Sequence, residues 1–250
     1  MSLGVSLLIH NRYRKRIRIN KMKKLVILTF VLAGSFGASA QYRLNAGASV
    51  GPGATMFSLG AEREFNVFSE KFHINPGVRL SVYNGNDLEY ITAPAEYTAN
   101  DDQVDTITQY SVQNNFANLY VRIGYDFTEK LSLSFDIDVV GVSFGGESDY
   151  KSFGPGKALQ DKGPVPANQS VVSSPTALNV LLVGDNDLGS LNSTLSLTYN
   201  PTKRIGIDLG AGLVFTEYTT NDKIGYDGND RFRNKAMMGY LGISYLFGGK

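Results

Sequence analysis

The chain has no cysteine, no tryptophan and only two histidines. Without cysteine there is neither a disulfide framework nor a thiolate metal site. The scarcity of histidine leaves few candidates for the base that a hydrolase serine usually needs beside it. Helical amphipathicity is missing too. After residue 40 no segment repeats its apolar residues with a helical period. Acid is absent from residues 1–40, which hold 8 of the 24 Lys and Arg residues. The remainder therefore carries 16 basic and 23 acidic residues, a net charge of −7. Such a body is a poor partner for nucleic acid, whose phosphates call for a basic surface.

The leader has three parts. Lys23-Lys24 is a short basic region, residues 25–34 are apolar, and Ala38-Ser39-Ala40 offers small residues at both positions read at cleavage. This is the pattern of an export signal, with Gln41 as the first mature residue. The apolar stretch is too short to cross ~30 Å of hydrocarbon as an anchor. Residues 1–21 precede it and read as an upstream over-extension of the frame, with Met22 as the start. The expected organisation is thus 1–21 over-extension, 22–40 signal peptide and 41–250 a single domain.

From Gln41 the dominant period is two. Leu131, Leu133, Phe135 and Ile137 alternate with Ser132, Ser134, Asp136 and Asp138. Leu195, Leu197 and Tyr199 alternate with Thr194, Ser196 and Thr198. Ile205, Ile207 and Leu209 alternate with Gly206, Asp208 and Gly210. The pattern predicts eight strands, near 42–50, 55–65, 72–83, 116–127, 131–144, 190–199, 204–217 and 236–247. Each is long enough for a tilted membrane strand. Ten strands are the alternative, because 104–112 and 177–183 each extend or add one. A bulge is expected at Val139-Val140, where the alternation slips. Short connections at 66–71, 128–130 and 200–203 alternate with those at 51–54, 84–115, 145–189 and 218–235, most of which are long. That is the signature of an antiparallel up-and-down barrel with its tight turns at one end.

The polar face is expected to point inward. It is rich in Gly, Ser, Thr and Asn and carries charges of both signs: Arg43, Arg79 and Arg122 against Glu62, Glu64, Asp126, Asp136, Asp138 and Asp208. Buried charges need partners, and an enclosed network supplies them. The candidate lumen network is Arg43, Glu62, Arg79, Arg122, Asp136, Asp138 and Asp208. Aromatics gather at the predicted strand ends as two interfacial girdles. Tyr42, Phe65, Phe72, Tyr125, Phe127, Tyr199, Tyr245 and Phe247 form one; Tyr83, Phe116, Phe144 and Phe215 form the other. A water-soluble fold with Leu133, Leu195 and Leu209 at its centre would overturn this reading.

The last strand adds a motif. In Tyr240-Leu241-Gly242-Ile243-Ser244-Tyr245-Leu246-Phe247, a weakly polar residue is followed by glycine two positions on. Apolar or aromatic residues then alternate. Tyr240, Gly242, Tyr245 and Phe247 resemble the C-terminal signal read by the barrel-insertion machinery, although Gly248-Gly249-Lys250 follow the final aromatic. With the leader and the alternation, residues 41–250 resemble the small outer-membrane β-barrel proteins of Gram-negative bacteria. The resemblance implies a cell-envelope location, contact with outer-membrane lipid and, during biogenesis, with the insertion machinery.

An eight-stranded barrel has an interior that side chains can fill. A closed, ion-paired lumen with a structural, anchoring or surface-interaction role is therefore expected. A narrow channel or transporter of small solutes is the alternative, and an envelope-lipid-modifying enzyme the third reading. Extracellular or envelope protein partners would use loops 84–115, 145–189 and 218–235. The first of these holds Asp87, Glu89, Glu96, Asp101, Asp102 and Asp105 with no basic residue. Asp185–Gly189 is a fragment of a calcium loop that lacks its terminal acid. His73 sits beside a predicted inner-side turn without a nominated serine and is expected to be an interfacial polar residue. No catalytic residue, cofactor or metal site is expected.

Overall fold

The computed structural model describes residues 41–162, 172–182 and 186–248. The leader, with the cleavage positions Ala38 and Ala40, lies outside them, and Gln41 opens the first strand. Twelve strands follow in chain order. They are β1 (Gln41–Gly51), β2 (Ala54–Arg63), β3 (Asn66–Ser69), β4 (Phe72–Thr92), β5 (Thr106–Thr128) and β6 (Leu131–Phe144). Then come β7 (Ser148–Gly154), β8 (Val172–Pro175), β9 (Leu178–Val180), β10 (Leu191–Tyr199), β11 (Ile205–Thr220) and β12 (Arg231–Gly248).

Eight of these close on themselves. β1 pairs with β2, β2 with β4, β4 with β5, β5 with β6, β6 with β10, β10 with β11, β11 with β12, and β12 returns to β1. Every pairing is antiparallel, so the chain is an up-and-down barrel of eight strands without an open edge. The ten-strand alternative is set aside. Residues 106–112 belong to β5, and β9 is a three-residue patch on β6 at Val140–Val142. The slip in β6 is a bulge. Leu119 faces Val140 and Tyr120 faces Asp138, which leaves Val139 unpaired.

The barrel is turned inside out relative to a soluble one. Leu133, Leu195 and Leu209 are 37%, 52% and 66% exposed. With Phe57, Leu59, Val78, Leu80, Leu241 and Ile243 they form an outward apolar belt. The alternate residues, among them Asn45, Ser58, Asn75, Arg79, Asn118, Arg122, Asp136, Thr194, Ser196 and Ser244, are buried inside. A belt of this kind needs hydrocarbon as its solvent, and the closed ladder leaves no backbone group bare to it.

Above the belt the wall continues as a second, narrower ring. The β1–β2 hairpin turns early, at Pro52-Gly53, with Gly53 at φ 67°. Over it β4 and β12 meet directly, Phe232 facing Thr92 and Arg233 facing Ile91. On the opposite side β5 pairs with β7, β7 with β8 and β8 with β11. The six members β4, β5, β7, β8, β11 and β12 thus close a turret. Most of the connection expected at 84–115 is strand, the upper arm of the β4–β5 hairpin.

Inside the turret the filling changes. Met56, Tyr83, Leu88, Tyr90, Ile107, Val112, Phe116, Val214, Tyr218, Phe232 and Met238 form one buried apolar cluster, joined by Tyr150 and Phe153 at its edge. Two expectations are corrected here. Tyr83 and Phe116 are fully buried members of this plug, not outer-girdle residues. They share the inward phase of Arg79 and Asn118, and above the belt that side carries the large apolar residues. Partial burial also pushes the Tyr150 phenol above its ordinary value.

Candidate functional site: the lumen and outer mouth

The lower lumen is filled by one ion-paired network. Register brings its members together: Arg43 faces Glu62 across β1–β2, and Arg122 faces Asp136 across β5–β6. Arg122 grips Asp136 with two donors, Nε at 2.7 Å and Nη2 at 3.0 Å, the fork geometry that suits a guanidinium. Arg79 bonds Asp138, stands 3.5 Å from Asp136, and donates to the Asn192 carbonyl. Arg43 bonds Glu64 at 2.9 Å and lies 3.5 Å from Glu62, as does Arg122. Three guanidiniums thus meet an excess of carboxylates. Neutral donors serve the surplus acceptors: Tyr120 hydroxyl and Asn75 to Glu62, Asn118 and the Asn192 amide to Asp138. The carboxylates at the centre of the cluster are thus well bonded, which is the condition for burying charge.

Asp208 stands apart from this network. It is fully buried and accepts from Thr198 Oγ1, but no guanidinium reaches it, and its second oxygen has no bond. Tyr240 and Gly242 reveal why their spacing matters here. Tyr240 points into the lumen and lies across two glycines. A Cβ on Gly47 would come within 2.3 Å of the Tyr240 ring, and one on Gly242 within 2.4 Å of its hydroxyl. Tyr245 and Phe247 face outward, and Phe247 stacks on Tyr42 of β1 at 5.5 Å.

His73 faces into the barrel, at the level of the inner-end aromatics Phe72 and Tyr125. It is buried inside the wall, seated over Gly124, with Nδ1 3.9 Å from Asp126. Asp126 in turn faces Ser132 across β5–β6. A hydrolytic triad needs the histidine between acid and serine. Here the acid occupies the middle, so His73 has no nucleophile to activate. Among the described residues, no group of three or more His, Cys, Asp or Glu is placed to hold a metal ion.

At the outer mouth lie two clusters that the sequence does not announce. Asp105 belongs by position to the acidic loop, yet it is fully buried. Its carboxylate accepts from the Gly156 amide at 2.7 Å and the Tyr226 amide at 2.6 Å, tying the β4–β5 tip to both other loops. The second cluster lies on the outer face of β11–β12. Glu217 is buried between Arg231 and Arg233, and both arginines donate onward to the Asp187 carbonyl. A small cleft of about 240 Å³ opens above Arg231, bounded by Pro94, Ala95, Glu96, Asn186 and Asp187. The Asp187 carboxylate is committed to the Leu182 amide. The one legible signal for the second cluster is the alternation of Arg231, Arg233 and Lys235 in phase with Met237.

No protein-family model and no curated protein matches the chain. Among solved structures it is similar to Ail, the attachment invasion locus protein of Yersinia pestis, in complex with the heparin analogue sucrose octasulfate. The identity is 14%, with 84% of this chain and 97% of that chain covered, at a TM-score of 0.35. The N-terminal β-barrel domain of Pseudomonas aeruginosa OprF matches at 9% identity, 84% and 100% coverage, and TM-score 0.38. A major outer membrane protein from Thermus thermophilus matches at 12% identity, 84% and 100% coverage, and TM-score 0.37. At these scores the likeness carries no argument about role, and the barrel rests on its own strand pairing.

Proposed function

We propose that this chain is a bacterial outer-membrane barrel that neither conducts nor catalyses, and that it holds a rigid turret outside the membrane as a surface for anchoring or contact. One observation carries the reading: the lumen is filled twice over. The ion-paired layer around Arg79, Arg122, Asp136 and Asp138 is followed by the apolar plug of Met56, Tyr83, Phe116 and Met238. A conducting path would have to cross both, and in the second the space is filled by packed aromatic and apolar side chains that leave no hydrated route. The tie at Asp105 fits the same role, because loops joined by a buried carboxylate form a pre-organised surface. The acids Glu96, Asp101 and Asp102 at the tip would favour a basic partner.

The test combines three measurements on one protein. Folded protein is expected to migrate faster before boiling than after, as closed barrels do. It is expected to give no single-channel steps in planar bilayers. Protease added to intact cells is expected to cut only in the turret loops. Reproducible conductance steps altered by Arg122→Ala or Asp136→Ala would replace this reading with the narrow-channel one.

A further inference from the structure

The connection between β2 and β4 differs from the other two inner turns. It carries its own strand, β3, and that strand bulges. Asn66 faces His73 and Ser69 faces Phe72, so Val67 and Phe68 have no partner between those two pairs. Phe68 sits at φ 65°, a left-handed conformation that a bulky aromatic residue adopts only at a cost. Its side chain is 96% exposed, the most exposed large apolar residue among those described. Bulge and strain together thus hold a phenyl ring away from the protein. In a soluble environment nothing would compensate for either.

The ring is nevertheless continuous with the lipid-facing surface. Phe68 lies 6.1 Å from Phe72, Phe72 faces Tyr125 across β4–β5, and Tyr125 packs edge-on against Phe127 at 5.5 Å. Phe65, capped by the Arg63 guanidinium at 4.6 Å, flanks the same turn. This ladder runs from the apolar belt into the turn and ends at Phe68, beside the exposed charges of Glu70 and Lys71. An apolar ring flanked by charge, at the edge of a hydrocarbon belt, suits the boundary between acyl chains and headgroups. We propose that Phe68 is a lipid hook, a side chain that the bulged β3 turn inserts into the interfacial layer of the adjoining leaflet and that fixes the depth of the barrel there.

The inference rests on the membrane reading above, and the absence of tryptophan makes the two separable. Phe68→Trp, Phe57→Trp and Asp101→Trp each create a single-tryptophan protein. The sites are the hook, the outward apolar belt and the turret tip. Each is folded into phosphatidylcholine vesicles containing lipids brominated at defined acyl positions. The Phe57→Trp signal is expected to be quenched by acyl-chain bromines and the Asp101→Trp signal by none. Phe68→Trp is expected to shift its emission to the blue on transfer from detergent to vesicles and to be quenched most by the shallowest bromines. If Phe57→Trp is quenched while Phe68→Trp keeps the emission of a water-exposed indole, the hook is refuted and the barrel stands. If Phe57→Trp also escapes quenching, the membrane reading fails first.

Discussion

Replacing Arg122 by Met removes the best-bonded cation of the lumen while keeping most of its volume. Asp136, 3% exposed, would lose both donors of the 2.7 and 3.0 Å pair and keep only Arg79 at 3.5 Å. Glu62 would lose the guanidinium at 3.5 Å but keep Arg43, Tyr120 and Asn75. Removing one partner of a buried ion pair costs about 3–5 kcal/mol. The remaining contact to Arg79 places this case at the lower end, about 3 kcal/mol, or roughly a hundredfold in the folding equilibrium. Arg122→Lys should recover only part, since a single ammonium cannot reproduce the fork. Asp136→Asn combined with Arg122→Met should be milder than the sum of the two, because each removes the other's stranded partner. The assay is the urea dependence of the fast-migrating folded band in detergent, read at equilibrium from both directions. A loss below about 0.5 kcal/mol for Arg122→Met, within the range of an ordinary surface change, would refute a structural role for the network.

Other outcomes follow from single contacts. Leu209→Arg, placed on the most exposed leucine of the belt, should lower bilayer stability by about 2–4 kcal/mol, while the same change at Thr202 in a turn should be near neutral by the same urea titration. Gly47→Val should cost about 1–3 kcal/mol by forcing the Tyr240 ring aside, and Tyr240→Ser in the same chain should recover most of it; no recovery would mean the seat is not the cause. Asp105→Ala should leave the global midpoint within about 0.5 kcal/mol but speed hydrogen exchange at Gly156 and Tyr226, since only the turret knot is cut.

The eight membrane strands are legible because lipid on one side and packed polar groups on the other impose period two, broken only where β6 bulges. The turret is harder to read, for two physical reasons. First, the alternation changes phase. Gly85 and Leu88 both face inward on β4, as do Gln109 and Val112 on β5, with Asp87 at φ 50° at the change. Both strands shift together, so Asn86–Ser111 and Leu88–Gln109 keep the same register and the ladder survives. In the sequence this looks like a loss of pattern. Second, the meaning of the inward side reverses above the belt. Tyr83 and Phe116 are legible as inward by their phase with Arg79 and Asn118, but their aromatic character points to the girdle. Contacts between distant loops leave no local trace. Nothing in the residues around Asp105 distinguishes it from Asp101 or Asp102, because its partners are backbone amides of two other connections.

The change of filling along the lumen also bears on how the strands find their heights. A period of two forbids a slip by one residue, since every side chain would change face. A slip by two keeps all faces correct and costs alternation nothing. In a lumen of uniform polarity, neighbouring strands could settle at several heights. Here the vertical order is marked: on β4, Asn75 and Arg79 lie below Ser81, and Tyr83 lies above it. Sliding β4 upward by one such step against β5 would carry the Arg79 guanidinium away from Asp138 and toward Phe116. The stacked polar and apolar storeys therefore act as a vernier, fixing the stagger of strands whose outer surfaces, mostly leucine, isoleucine, valine and phenylalanine, carry few marks of their own.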